Sequence, residues 1–75
     1  MAIDRGAPEW PYQQLAARLR EQIRSGEITR QLPSVAFLSQ DSGLSPKTVV
    51  KAIRLLESEG LVRTYPSRGT FVVGR

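Results

Sequence analysis

The hydrophobic repeat of this 75-residue chain changes period once, at Gly60, and that switch limits the folds open to it. Before Gly60, apolar residues recur at three- and four-residue steps in three stretches; after it they alternate. In the first stretch Trp10 precedes Pro11, a residue suited to a first helical position because the amide hydrogen it lacks would be unpaired there anyway. Tyr12, Leu15, Ala16, Leu19 and Ile23 then form one stripe with Arg18, Gln22 and Ser25 outside it, and Gly26 ends the helix. A connection with Ile28 and Leu32 as buried points leads to Pro33-Ser34, where the serine caps a short second helix with Val35 and Leu38, joined by Phe37, as its apolar face. This helix stops near Ser42, before Gly43. Leu44 returns to the core, Ser45 caps a third helix, Pro46 takes its first position, and Val49, Ala52, Ile53 and Leu56 are its buried stripe up to Gly60.

Beyond Gly60, Leu61, Arg63 and Tyr65 alternate with Val62 and Thr64. Pro66-Ser67-Arg68-Gly69 supplies turn chemistry, and Thr70-Phe71-Val72-Val73 is a second β-rich run. A lone hairpin is barely stable in water, so one side of it must lie against the helices. The fold expected is mainly α: three helices plus a small antiparallel wing of two or three strands, spanning residues 10–75. Residues 1–9 lack any periodicity, carry Gly6 and Pro8, and read as a flexible arm. A chain of this length buries only about 60% of its surface on folding, so the core has to be thin. Trp10, Tyr12 and Phe71 are accordingly read as core or edge packing rather than as stacking platforms.

Several function classes drop out on composition. The chain has no cysteine and no histidine, which removes disulfides, thiolate chemistry, the usual zinc sites and the commonest general base. Glu57 and Glu59 lie two apart on a helix and do not face each other, and no nucleophile has a visible base, so an enzyme is a remote reading and no cofactor is expected. No stretch approaches the roughly 18 apolar residues of a membrane span, nor is there a signal-like N-terminus; the reading is cytoplasmic.

Charge is distributed unevenly. Residues 1–43 hold five basic side chains (Arg5, Arg18, Arg20, Arg24, Arg30) and five acidic ones (Asp4, Glu9, Glu21, Glu27, Asp41). Residues 44–75 hold six basic ones against Glu57 and Glu59, so the entire formal charge of +4 lies in the half that begins with the third helix. A helix start is already electropositive, and Lys47 and Lys51 make it more so unless something negative arrives from outside. On a helical wheel Lys47, Val50, Lys51 and Arg54 lie opposite Val49, Ile53 and Leu56, so the face that avoids the core is the basic one.

Helix, short turn, helix, then a hairpin with Arg68 at its tip is the layout of a winged helix-turn-helix. Its third helix enters the major groove, where phosphates and base-edge acceptors supply the missing negative partner. A solvated basic helix face is the plain alternative for Lys47, Lys51 and Arg54; their position at the start of this helix favours DNA. Thr48 either supports the cap or contacts DNA. Val50 either touches a thymine methyl or packs at a dimer or core edge. Rival readings are a winged helix that binds a partner protein and an RNA-binding domain, the latter without the glycine-aromatic motifs of common RNA modules.

The run LPSVAFLSQDSGLSPKTVVKAIRLLESEGLV, followed by RGTFV and preceded by YQQLAARLREQIRSGEI, closely resembles the N-terminal DNA-binding domain of the GntR family of bacterial transcriptional regulators over about residues 10–73. The resemblance implies a regulator, more often a repressor, that holds DNA with the starts of the second and third helices and the wing, usually as a homodimer on an inverted-repeat operator. Carried over, it assigns DNA-binding roles to Ser34, Ser45, Lys47, Thr48, Arg68 and Gly69. Pro46, Val50, Lys51 and Arg54 complete the candidate set from the helical face. Departures from the family pattern are Ala36, Pro46 and Val50 where relatives commonly carry arginine, Ser67 for a frequent wing glycine, and a connection before Leu32 about two residues short; they bear on the operator sequence. Family members normally add a C-terminal domain for a small-molecule effector or for dimerisation, and an effector is implied only with such a domain.

Overall fold

The computed structural model describes residues 3–73. Three helices, α1 (Pro11–Arg24), α2 (Val35–Ser42) and α3 (Pro46–Ser58), precede two strands, β1 (Val62–Tyr65) and β2 (Gly69–Val72). This is the winged helix-turn-helix that the period switch at Gly60 implies.

The helices begin and end where local chemistry dictates. Ser34 Oγ accepts from Phe37 N at 3.1 Å and Ser45 Oγ from Thr48 N at 3.3 Å, each satisfying an amide that the first turn leaves open. Gly43 ends α2 at φ +75°, a left-handed conformation that costs glycine little and turns the chain sharply into Leu44. Within that turn the buried Ser42 hydroxyl donates to Leu38 O at 2.6 Å and accepts from Leu44 N at 3.2 Å, so the tight α2–α3 junction leaves neither backbone group unpaired.

All three helices feed one core. Leu15, Ala16 and Leu19 from α1 meet Leu38 of α2, Leu44, and the α3 stripe Val49, Ala52, Ile53 and Leu56, with Leu32 and Val62 closing it. Two aromatic residues depart from the expected packing. Phe37 is 55% exposed: Leu38 and Ser42 already occupy the inward positions one turn apart, and a residue next to them in sequence points about 100° away. Trp10 is 69% exposed, because it stands ahead of the helix as its cap residue, where the α1 stripe does not reach. Tyr12 packs partly on the core, and Phe71 makes an edge-on contact with Tyr65, ring centroids 5.8 Å apart.

Residues 3–9 fold back along α1. The Gln14 side chain accepts from Asp4 N at 2.8 Å and donates to Asp4 O at 2.6 Å and Glu9 O at 3.1 Å, while Ile3 packs against the core.

The wing is an antiparallel pair in the register Val62↔Val72, Arg63↔Phe71, Thr64↔Thr70, Tyr65↔Gly69. Pro66 and Ser67 turn the chain, with Arg68 N donating to Tyr65 O at 3.0 Å and Ser67 at φ +66°. The α1–α2 connection adds a short third run on the other side of β2. Gln31 bridges Phe71, Leu32 N donates to Thr70 O at 2.9 Å, and Val72 N donates to Arg30 O at 2.7 Å. Glu57 of α3 fixes the other edge by accepting from Thr64 N at 3.0 Å.

Candidate nucleic-acid interface

α3 is a 13-residue helix with a strongly apolar inner face, so its outer face is set once Val49, Ala52, Ile53 and Leu56 are buried. Pro46, Lys47, Thr48, Val50, Lys51 and Arg54 come together there around one concavity of about 760 Å³. Lys47, Lys51 and Arg54 are exposed, Thr48 and Val50 half-buried. The first turn of α3 holds no carboxylate, and among the described residues Lys47 and Arg54 have no acidic partner. Among the described residues, no ion pair therefore offsets the charge of Lys47 at the electropositive start of α3.

Ser45 and Thr48 act together: beyond the capping bond their hydroxyls lie 3.0 Å apart, in hydrogen-bond contact. Both readings of Thr48 thus rest on one geometry, a hydroxyl pair presented at the helix start. Lys51 extends toward α1, its Nζ 4.4 Å from the centroid of the Tyr12 ring, a cation–π contact that holds the ammonium on one flank of α3. Val50 lines both the α3 concavity and a neighbouring cleft of about 240 Å³ toward Val35 and Thr70.

The remaining candidates assemble on the wing side. Ser34, Arg68 and Gly69 line a groove of about 370 Å³ between the start of α2 and the hairpin loop. Arg54 and Val50 on one hand, and Val35 and Thr64 on the other, line the cleft that joins this groove to the α3 concavity. Nine of the ten residues singled out from the sequence therefore lie along one connected surface, in two groups, and the tenth, Ser45, lines the opposite flank of the α3 start.

Two features escaped the sequence. A further groove of about 580 Å³ on the far flank of α3 is lined by Arg5 and Trp10 together with Ser45, Thr48 and Lys51, so the exposed indole sits beside the start of α3. Gln31 lies in the wing-side groove and its side chain donates to Arg68 O at 3.1 Å. Partners 37 residues apart leave no local signal.

A basic helix-turn-helix face flanked by a wing defines a winged-helix domain of the transcription-regulator class. The chain belongs to the GntR family: the signature of the bacterial regulatory proteins of that family matches residues 11–72. It is 46% identical over 63 residues to the HTH-type transcriptional regulator YdcR of Escherichia coli (strain K12), covering 81% of this chain and 14% of that protein. It is 36% identical over 74 residues to the HTH-type transcriptional repressor NagR of Bacillus subtilis (strain 168), covering 96% of this chain and 30% of that protein. Among solved structures, the DNA-binding domain of AraR in complex with operator ORX1 superposes with a TM-score of 0.87 at 30% identity, covering 97% of this chain and 95% of that one. YtrA from Sulfolobus acidocaldarius, a GntR-family transcription factor, gives the same TM-score at 31% identity, covering 97% and 79%.

Proposed function

We propose that this domain binds double-stranded DNA with sequence preference, laying the start of α3 in the major groove and the wing tip near the minor groove, and that it acts as a repressor. The observation that carries this reading is the connected surface itself: Lys47, Lys51 and Arg54 along α3, Arg68 at the wing, the capped start of α2 between them and the capped start of α3 beside Lys47. Phosphates satisfy the helix-start amides and the cations together. Most of the affinity then comes from Lys47, Lys51, Arg54 and Arg68 through release of counterions. Base reading falls to Lys47, Thr48 and Val50, which line the α3 concavity, and to Lys51 from the Tyr12 side. Ser34, Ser45, Pro46 and Gly69 fix the backbone that presents them.

AraR is bound to operator DNA in its complexes, and NagR is a repressor; both support the same assignment for this chain. A homodimer on an inverted repeat follows if each copy presents one α3 to one half-site. A small-molecule effector would act through a further domain. With DNA as its partner the working compartment is the cytoplasm.

Selection of bound duplexes from a random pool tests the proposal. An enriched inverted repeat gives preference, half-site spacing and dimer geometry together. Absence of binding to any duplex at low salt overturns it in favour of a protein-binding winged helix.

A further inference from the structure

The hairpin tip carries Arg68, yet a three-residue loop between two four-residue strands has little of its own to hold it still. The wing loop is restrained from outside by one side chain. Gln31 pairs with Phe71 across β2, and residues two apart on a strand share a face, so Gly69 lies on the side to which Gln31 extends. From there Gln31 Nε2 donates to Arg68 O at 3.1 Å. A Cβ built on Gly69 would fall 2.6 Å from that nitrogen, and Gly69 adopts φ +113° besides. The space left by the missing side chain at 69 is the space the Gln31 amide uses. Backbone bonds on both sides of Gln31, Leu32 N to Thr70 O and Val72 N to Arg30 O, fix where its side chain starts.

We propose that Gln31 is the positioning residue of the wing: it ties the carbonyl of Arg68 to the segment that leads directly into the Ser34 cap, and so sets the distance between the two elements that flank the wing-side groove. The assignment rests on the DNA-binding reading above for its consequence, but not for its geometry. Gly69 then leaves the room that the Gln31 amide uses, and a side chain there would push that amide off the Arg68 carbonyl besides straining the backbone.

Three variants test this in the 75-residue chain. Gln31→Met keeps the size and neutrality of the side chain and removes the donor; Gln31→Lys restores a donor of similar reach; Arg68→Ala removes the group being positioned. In the free protein, heteronuclear NOE values of the Ser67, Arg68 and Gly69 amides should fall in Gln31→Met and recover in Gln31→Lys, with the thermal midpoint of Gln31→Met close to that of the parent. With a fluorescein-labelled 20-bp duplex of random sequence, Gln31→Met should weaken binding by roughly three- to tenfold, the scale of one hydrogen bond, and should have no effect when Arg68 is already alanine. Unchanged loop NOE values in Gln31→Met overturn the proposal. So does an equal loss of affinity in the Arg68→Ala background, which would make Gln31 a direct contact. If the parent chain binds no duplex, the DNA-binding reading fails while the relaxation measurements still decide the restraint.

Discussion

Lys47 is the most direct test at the scale of one residue, because it is exposed, unpaired among the described residues and placed at the first turn of α3. Lys47→Ala should cost about 1–3 kcal/mol on the selected duplex and relax preference at one position. Equal losses on all sequences, measured by fluorescence anisotropy, would reduce it to a phosphate contact. Ser67 offers a second test, on stability alone. It sits at φ +66° where a non-glycine residue is strained, so Ser67→Gly should stabilise the domain by about 0.5–1 kcal/mol after the added freedom of the unfolded chain is discounted. A lower melting temperature would contradict this. What the sequence discloses about single residues follows the range of the forces involved. Ser34 and Ser45 were legible because a cap bonds an amide three residues away. Phe37 and Trp10 were not, since exposure depends on which neighbours already fill the core.

At the scale of elements, α1 and the end of α3 are joined by an ion pair in which Arg20 Nη2 and Nε donate to the two carboxylate oxygens of Glu59 at 2.6 and 2.8 Å. Nothing in the sequence announces a pair 39 residues apart, although both helices were legible from their stripes. The hydrogen bonds from Arg20 hold the Glu59 carboxyl below its ordinary value, against a smaller opposing effect of burial, and the positive charges of Arg20 and Arg24 add to the lowering. A lowered acid stabilises the fold above the ordinary glutamate range, near pH 4.3, and the contribution disappears as pH falls through the lowered value. Both side chains are partly solvated, so the pair is worth about 0.5–1 kcal/mol at neutral pH. Urea denaturation of the parent and Arg20→Gln should therefore differ by about that amount at pH 7 and converge in strong acid. A gap of the same size at both ends of the range would rule the pair out as its source.

For the molecule as a whole, the two groups of candidate residues predict how binding responds to salt. Each cation that meets a phosphate contributes about one unit to the slope of log affinity against log salt. Arg68→Ala should weaken binding and flatten that slope by about one unit. An unchanged slope would take the wing out of the interface. The chain's overall layout was open to reading because each helix and strand carries its own period and punctuation. The connection of the wing to residues 30–32 was not, because a run that bridges through Gln31 alone is too short to show alternation. That pairing makes β2 the middle run of the sheet, flanked by β1 and by the Gln31 segment, although it follows both of them in the chain. During synthesis, then, the three helices leave the ribosome with Leu32 N and Arg30 O still facing water, and only the arrival of residues 70–72 satisfies them. A chain cut short of Thr70 would hold all of α3 while lacking the strand that organises the wing, which makes residues 70–72 decisive for native structure.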